Sequence, residues 1–218
     1  MVFRDRSDAG RTLAARLAQY TGREDVLVLA LPRGGVPVGY EIAQALQLPL
    51  DVFVVRKLGT PGQPELAMGA IASGGVLVVN RDVVDTLGIP DYMVREAAEM
   101  EQRERERRER QYRGDRPPLN VQGRTVILVD DGLATGSTMR AAAAALKQQQ
   151  AARIVVAVPV AAPQTCEQLR AEVDEMICAA TPEPFLAVGQ WYRDFSQTSD
   201  DEVRELLERA AESRVKQS

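Results

Sequence analysis

Val126-Ile127-Leu128-Val129-Asp130-Asp131-Gly132-Leu133-Ala134-Thr135-Gly136-Ser137-Thr138 is the stretch whose reading decides the fold. Four branched apolar residues in succession read as a strand buried on both faces. Two carboxylates, Asp130 and Asp131, stand where that strand should end. A small-residue loop follows, and Met139 to Leu146, rich in alanine, reads as a helix. In an open α/β sheet, ligands collect at the carboxyl ends of the strands. A helix start there offers free backbone N–H groups and the positive end of the dipole, which suit a phosphate. Ser137 and Thr138 add hydroxyl donors. The carboxylates cannot bind phosphate directly, but they suit sugar hydroxyls, or a magnesium ion that carries phosphate oxygens. One loop thus offers an anion cradle beside a diol or metal site, which is what a ribose phosphate needs.

Other readings of this stretch leave more unexplained. A P-loop requires a lysine after its last glycine, and Gly136 is followed by Ser137. A receiver domain also carries an acidic pair at a strand end, but gives no reason for the Thr-Gly-Ser-Thr cradle. The plain alternative is that Asp130 and Asp131 cap a turn and Ser137 caps a helix. The whole segment resembles the phosphoribosyl-pyrophosphate (PRPP) motif of the type I phosphoribosyltransferases: an apolar strand, two acids, and a loop ending Thr-Gly-x-Thr/Ser. The resemblance implies that Asp130 and Asp131 hold the ribose hydroxyls and assist a Mg²⁺ ion. It implies that Ala134, Thr135, Gly136, Ser137 and Thr138 cradle the 5′-phosphate.

Composition narrows the field. The chain has 218 residues, 45% of them hydrophobic, which suits one α/β domain with a proper core. A formal net charge of −4 gives no reason to expect nucleic acid as a partner. No apolar run is long enough for a membrane span. The first residues, Met1 to Arg6, are charged and lack a signal-peptide core, so a cytoplasmic location is expected. Cys166 and Cys178, the only two cysteines, read as reduced thiols. With no histidine, Ser-His and Cys-His catalysis and histidine metal sites are excluded, and hard-metal chemistry on carboxylates remains.

Along the chain, strands and helices alternate. Residues 8–20 read as a helix capped by Ser7 or Asp8, and Val26 to Leu31 as a buried strand. Val36 to Leu46 reads as a helix and Leu50 to Val55 as a second strand. These form a right-handed βαβ unit. Pro32-Arg33-Gly34-Gly35 therefore lies at the same sheet edge as the acidic pair. Its glycines permit close backbone approach and Arg33 offers a fixed cation; the alternative is a tight turn with a solvated arginine. In the family resembled, a loop in this position binds pyrophosphate, so Arg33, Gly34 and Gly35, with Arg56 and Lys57 after the second strand, are implied as the pyrophosphate site. That loop often holds a non-proline cis peptide before its basic residue, here the Pro32–Arg33 bond. Leu58 to Ala70, rich in Gly and Pro, reads as a mobile loop. The family carries a closing lid there, to which Glu65 would belong. Ala70 to Asn80 suggests a hairpin about Gly74-Gly75.

Asp91 to Arg113 predicts one helix, about 34 Å long at 1.5 Å per residue. Four acid-first pairs four residues apart (Glu99/Arg103, Glu101/Arg105, Glu104/Arg108 and Glu106/Arg110) and a thin apolar stripe of Met93, Ala97 and Met100 make it a solvated helix laid over the sheet. Gly114 to Gly123 is a connector. Arg153 to Val158 and Glu175 to Cys178 read as strands, with a helix at Gln164 to Val173 between them. Aromatics concentrate in Pro182 to Asp201. The family's base-binding hood is implied there, over about 182–200 with the N-terminal residues Phe3 to Arg6, and Phe185, Trp191 and Tyr192 are its candidate base contacts. Packing in a satellite core is the alternative for each. Ser199 to Glu202 forms a capping box for a terminal helix reaching about Ala211.

The expectation is therefore an α/β fold, a doubly wound parallel sheet with a small hood and a long inserted helix, in a single domain over 1–218 with its core at about 26–180. The resemblance implies a Mg²⁺-dependent enzyme of nucleotide salvage that transfers ribose 5-phosphate from PRPP to a nitrogenous base, with Asp130, Asp131, Lys57 and Arg33 in the chemistry. A homo-oligomer such as a dimer is expected. The alternative is a non-catalytic PRPP- or nucleotide-sensing regulator on the same fold. Ala134 replaces an aspartate found in the family's 6-oxopurine enzymes, which counts against hypoxanthine or guanine as acceptor.

Overall fold

A computed structural model describes residues 2–118 and 120–215. Helix α1 (Arg6–Arg16) leads into strand β1 (Val26–Ala30), helix α2 (Gly35–Leu46) and strand β2 (Leu50–Val52). An antiparallel meander follows: β3 (Val55–Thr60), β4 (Gln63–Ala72) and β5 (Val76–Val79). Helices α3 (Arg81–Leu87) and α4 (Asp91–Arg113) precede the return to the main sheet. There β6 (Thr125–Val129), α5 (Ser137–Gln148), β7 (Arg153–Val160), α6 (Pro163–Arg170) and β8 (Glu175–Ala180) alternate, and α7 (Asp200–Val215) closes the described chain.

The main sheet is wholly parallel, in the order β2-β1-β6-β7-β8. Every residue of β1 and β6 is buried, as continuous apolar strands covered on both faces must be. Alternate side chains feed two different cores. Val26, Val28, Ile127 and Val129 pack with Leu13 of α1, Leu17 just after it and Ile42 of α2. Leu27, Leu29, Val126 and Leu128 pack with Met139, Leu146 and Leu169 from α5 and α6. Helices thus cover both faces, and the sheet is doubly wound about the boundary between β1 and β6. The chain leaves β1 toward β2 on one side, and β6 toward β7 and β8 on the other. The carboxyl ends of β1 and β6 meet at this switch point, where an open sheet splays its loops apart and leaves a crevice.

Several local expectations are corrected. Leu58 to Ala70 is not a mobile loop: β3 and β4 pair across it, turning at Pro61-Gly62, with the register shifting around Gly59. The glycines and prolines that suggested a loop serve as the bulge and the turn of a hairpin. The second strand ends at Val52 rather than Val55, because Val55 already belongs to the meander. Helix α1 starts at Arg6, and its cap is Asp5, whose carboxylate accepts from the Asp8 N–H at 2.7 Å. Helix α3 is an addition, a two-turn element between an Asn80 cap and a left-handed Gly88. The second hairpin, around Gly74-Gly75, is as expected.

Helix α4 has the expected bounds, but its buried stripe is Val94, Ala98, Arg105 and Tyr112, and Met100 is 68% exposed. Of the four expected intrahelical pairs, Glu104–Arg108 forms. Arg105 instead bonds Glu109 at 2.5 Å, and Glu101 reaches out to Arg56 on β3 at 2.7 Å. The helix is partly buried because the meander lies against it, so its charges turn to neighbours rather than along the surface. Cys166 and Cys178 are not free thiols: a disulfide joins them. They lie 12 residues apart, and their meeting comes from the α6-to-β8 crossover, which no spacing rule reveals.

Candidate active site

Three segments converge on the switch point. Strand β1 runs out through Leu31, whose N–H donates to the Val129 carbonyl at 2.8 Å and extends the β1–β6 pairing to the sheet edge. The turn Pro32–Gly35 follows, and the Pro32–Arg33 peptide is cis, as the resemblance implies. This turn lies directly against the acidic pair. A Cβ on Gly34 would stand 2.0 Å from Oδ2 of Asp131, and one on Gly35 2.8 Å from the Val129 carbonyl oxygen. Only glycine permits this approach.

Beyond β6, the Asp131 N–H donates to Oδ1 of Asp130 at 2.8 Å, so the first carboxylate is folded over the backbone of the second. Burial and the neighbouring Asp131 charge push the Asp130 carboxyl well above the usual range. Burial raises Asp131 as well, against the opposing pull of the Arg6 guanidinium. Leu133 bridges to Ala161 beyond β7, and the Thr165 hydroxyl donates to the Ala134 carbonyl at 2.6 Å. Gly136, at φ +69°, turns the chain into α5. The first-turn amides of α5 have no intrahelical acceptor, and the Thr135 and Ser137 hydroxyls stand 3.4 Å apart beside them. Asp130, Asp131, Gly34, Gly35 and residues 134–138 are therefore brought together as expected.

The candidate cations lie farther out. Arg33 extends toward Asp200 at the start of α7, 4.0 Å away. Arg56 is held by Glu101 of α4. Lys57, on the opposite face of β3, lines a cavity of about 340 Å³ with Asn80, Ser137 and Arg140, so it sits on the α5 side of the meander. Glu65 is exposed on the far arm of the β3–β4 hairpin. Of the candidate base contacts, Tyr192 is buried, and its hydroxyl donates to the Asp131 carbonyl at 2.6 Å. Burial, with the Asp131 charge, pushes that hydroxyl well up. Tyr192 thus acts as a strut behind the acidic pair. Trp191 is half-buried in the small cluster around Phe3 and Tyr192. Phe185 lines a recess of about 730 Å³ with Ala134, Thr135, Gln164, Gln168 and Glu183. Thr165 was not expected in the site, and Arg6 only as part of the hood. Their nearness to the motif is a product of the fold, and no local signal marks it.

The model of the phosphoribosyl transferase domain matches residues 4–190. This chain belongs to the phosphoribosyl transferase domain family. It is 50% identical over 210 residues to MT0597 of Mycobacterium tuberculosis CDC 1551, which is provisionally named a phosphoribosyl transferase. That match covers 96% of the chain and 47% of the relative, so the chain spans about half the length of the curated relatives it matches. Among solved structures, TT1426 from Thermus thermophilus is similar at 42% identity and a TM-score of 0.85, with 95% of this chain and 98% of that one covered. AQ2163 from Aquifex aeolicus, 11% identical with a TM-score of 0.50 over 84% of this chain and 78% of that one, shares the fold. No described helix of this family member is long and apolar enough to cross a membrane.

Proposed function

We propose that this family member transfers ribose 5-phosphate from PRPP to a nitrogenous base and releases pyrophosphate. The observation that carries the proposal is the direct apposition of the Gly34 backbone and the Asp131 carboxylate at the switch point, beside the open start of α5. The Pro32–Gly35 turn, the acid pair and the start of α5 share one crevice, which supports reading them as an anion turn, a diol-binding pair and a phosphate cradle. The α5 amides with Thr135, Ser137 and Thr138 would hold the 5′-phosphate. Asp130 and Asp131 would take the ribose hydroxyls, and the Pro32–Gly35 turn with Arg33 would receive pyrophosphate. Lys57 stands across the 134–138 loop on the meander, whereas Arg56 faces α4 from the other side of β3 and is paired with Glu101.

The donor set suits Mg²⁺. Two adjacent carboxylates are hard oxygen ligands, and no cluster of three or more protein metal ligands occurs among the described residues. That fits an ion shared with substrate oxygens rather than one caged by protein. When bound, it would neutralise charge developing on the pyrophosphate. The C1–O bond breaks ahead of C1–N bond formation, so the protein's task is to steady the departing anion and exclude water. The proton lost from the acceptor nitrogen has no carboxylate at Ala134 to receive it, which supports an acceptor other than a 6-oxopurine. The recess beside Phe185 is the acceptor site in this reading. A homo-oligomer belongs to the same proposal.

Pyrophosphate release with PRPP, Mg²⁺ and a panel of purine, pyrimidine and pyridine bases tests the reading. Release with one base class is expected. PRPP binding without release from any base would instead mark a sensing regulator, and absence of PRPP binding would overturn the assignment of the crevice.

A further inference from the structure

The sheet-edge motif does not hold Asp131 in place by itself. The first residue of α1 does so from the other end of the chain. Arg6 Nε donates to Oδ2 of Asp131 at 2.8 Å, and Nη1 donates to the Ser196 carbonyl at 2.7 Å. The guanidinium lies 4.0 Å from the centroid of the Phe195 ring. The two partners of the ion pair are only 12% and 16% exposed in their side chains. Oδ2 is therefore enclosed, with Arg6 on one side and the Gly34 backbone on the other. Arg6 makes no hydrogen bond to Oδ1, the other oxygen of Asp131, and the Asp131 carboxylate also meets that of Asp130.

This arrangement addresses two problems. A carboxylate on a short side chain has freedom about its last torsion, and a diol requires one oxygen in a fixed direction. Anchoring Oδ2 fixes that torsion and leaves Oδ1 for the ligand. The second problem is charge. Two adjacent acids repel both one another and a polyanionic substrate, and a guanidinium in a partly desolvated position offsets that field far more strongly than one in water. The planar fork also matters: it engages a carboxylate, a carbonyl and an aromatic face together, which a lysine ammonium cannot do.

Resting on the reading of the crevice as a PRPP site, we propose that Arg6 is a positioning residue for Asp131. It acts from outside the PRPP motif by presenting Oδ1 to the ribose hydroxyls. The Ser196 carbonyl and Phe195 ring fix Arg6 in turn, so the 193–196 segment is coupled to ribose binding. Loss of a supporting partner of this kind costs roughly tenfold to a hundredfold in affinity or activity.

The experiment compares wild type, Arg6→Ala and Arg6→Lys. PRPP affinity is measured by calorimetry with and without Mg²⁺, kcat and KM for PRPP with the best acceptor, and thermal unfolding for each. Arg6→Ala is expected to weaken PRPP binding roughly tenfold or more, to recover part of that binding with added guanidinium at millimolar concentration, and to melt below wild type, because Asp131 is left buried without its partner. Arg6→Lys is expected to fall between the two, because it keeps the charge but loses the fork. Wild-type PRPP affinity in Arg6→Ala would overturn the inference and leave the PRPP reading standing. Weak binding without guanidinium rescue, together with a lowered melting temperature in both variants, would also overturn it, since Arg6 would then merely support the fold. Failure of wild type to bind PRPP would overturn the reading and the inference together.

Discussion

Asp130 and Asp131 are adjacent in sequence and unlike in surroundings. Asp130 turns back onto the Asp131 amide, whereas Asp131 is enclosed by Gly34 and Arg6. Each contact constrains the other, so the pair behaves as one preorganised unit. Asp130→Asn and Asp131→Asn are each expected to lower PRPP turnover by about a hundredfold or more, the scale of a lost electrostatic contact in such sites. Steady-state pyrophosphate release checks this, and near-normal turnover in either variant would remove the acids from the chemistry. At this scale the sequence showed the acids, the glycines and the hydroxyls, because each stands next to the strand end that gives it meaning. It did not show the tie from Arg6 to Asp131, 125 residues away, nor Thr165, 31 residues from the carbonyl it supports. Long-range contacts of that kind leave no local pattern.

Among the elements, α4 departs most from its expected role. Its charge pattern predicted a solvated rod, yet its C-terminal half is bolted to the rest of the molecule. Arg113 reaches Asp51 of β2 at 2.8 Å, and the Tyr112 hydroxyl donates to Asp200 of α7 at 2.8 Å. Burial, then the Asp200 bond, push the Tyr112 hydroxyl up to about 12. The same bond, more than any other influence, holds Asp200 below the usual carboxylate range. The signs follow. A tyrosine raised in the folded state adds stability that is complete below its unfolded value of about 10 and disappears as pH rises toward 12. Asp200, depressed in the folded state, adds stability above its unfolded value that is lost as pH falls through its folded one. Tyr112→Phe is expected to cost about 1 kcal/mol near neutrality and to flatten the alkaline fall between about pH 10 and 12. Urea denaturation across that range measures both effects, and an unchanged alkaline slope would contradict the assignment. Helix bounds were legible here because periodicity and capping are local. The buried face was not, because which stripe is covered depends on the meander that packs there.

At the scale of the whole molecule, the N-terminal residues are joined to the 191–194 segment beside the crevice. The Phe3 N–H donates to the Trp191 carbonyl at 2.8 Å, and the Arg193 N–H donates to the Phe3 carbonyl at 2.9 Å. Phe3 is 2% exposed and lies against Tyr192, the strut behind Asp131. Phe3→Ala should therefore cost about 3–5 kcal/mol of stability and weaken PRPP binding as well. Chemical denaturation and calorimetry on the same variant separate these effects. A stability loss with unchanged PRPP affinity would show that the strut is not transmitted to the acid pair. The parallel sheet was legible in the apolar runs and their alternation with helices. The strand order was not, since it rests on the insertion of the meander, α3 and α4 between β2 and β6.

The β3–β4 hairpin has an uneven anatomy. Along β4, residues 63–66 are exposed, Ala67 is intermediate and Met68 to Ala72 are buried. A ribbon with a dry root and a wet tip does not open all at once: its outer rungs break and re-form while its inner rungs wait for global unfolding. Deuterium labelling of the native protein should therefore show amides of the tip exchanging early and those from Met68 onward exchanging late, with the boundary at Ala67. Saturating PRPP should slow the tip alone if that ribbon folds over the bound sugar. Equal exchange along the whole ribbon would mean that it opens as one cooperative unit rather than from its tip.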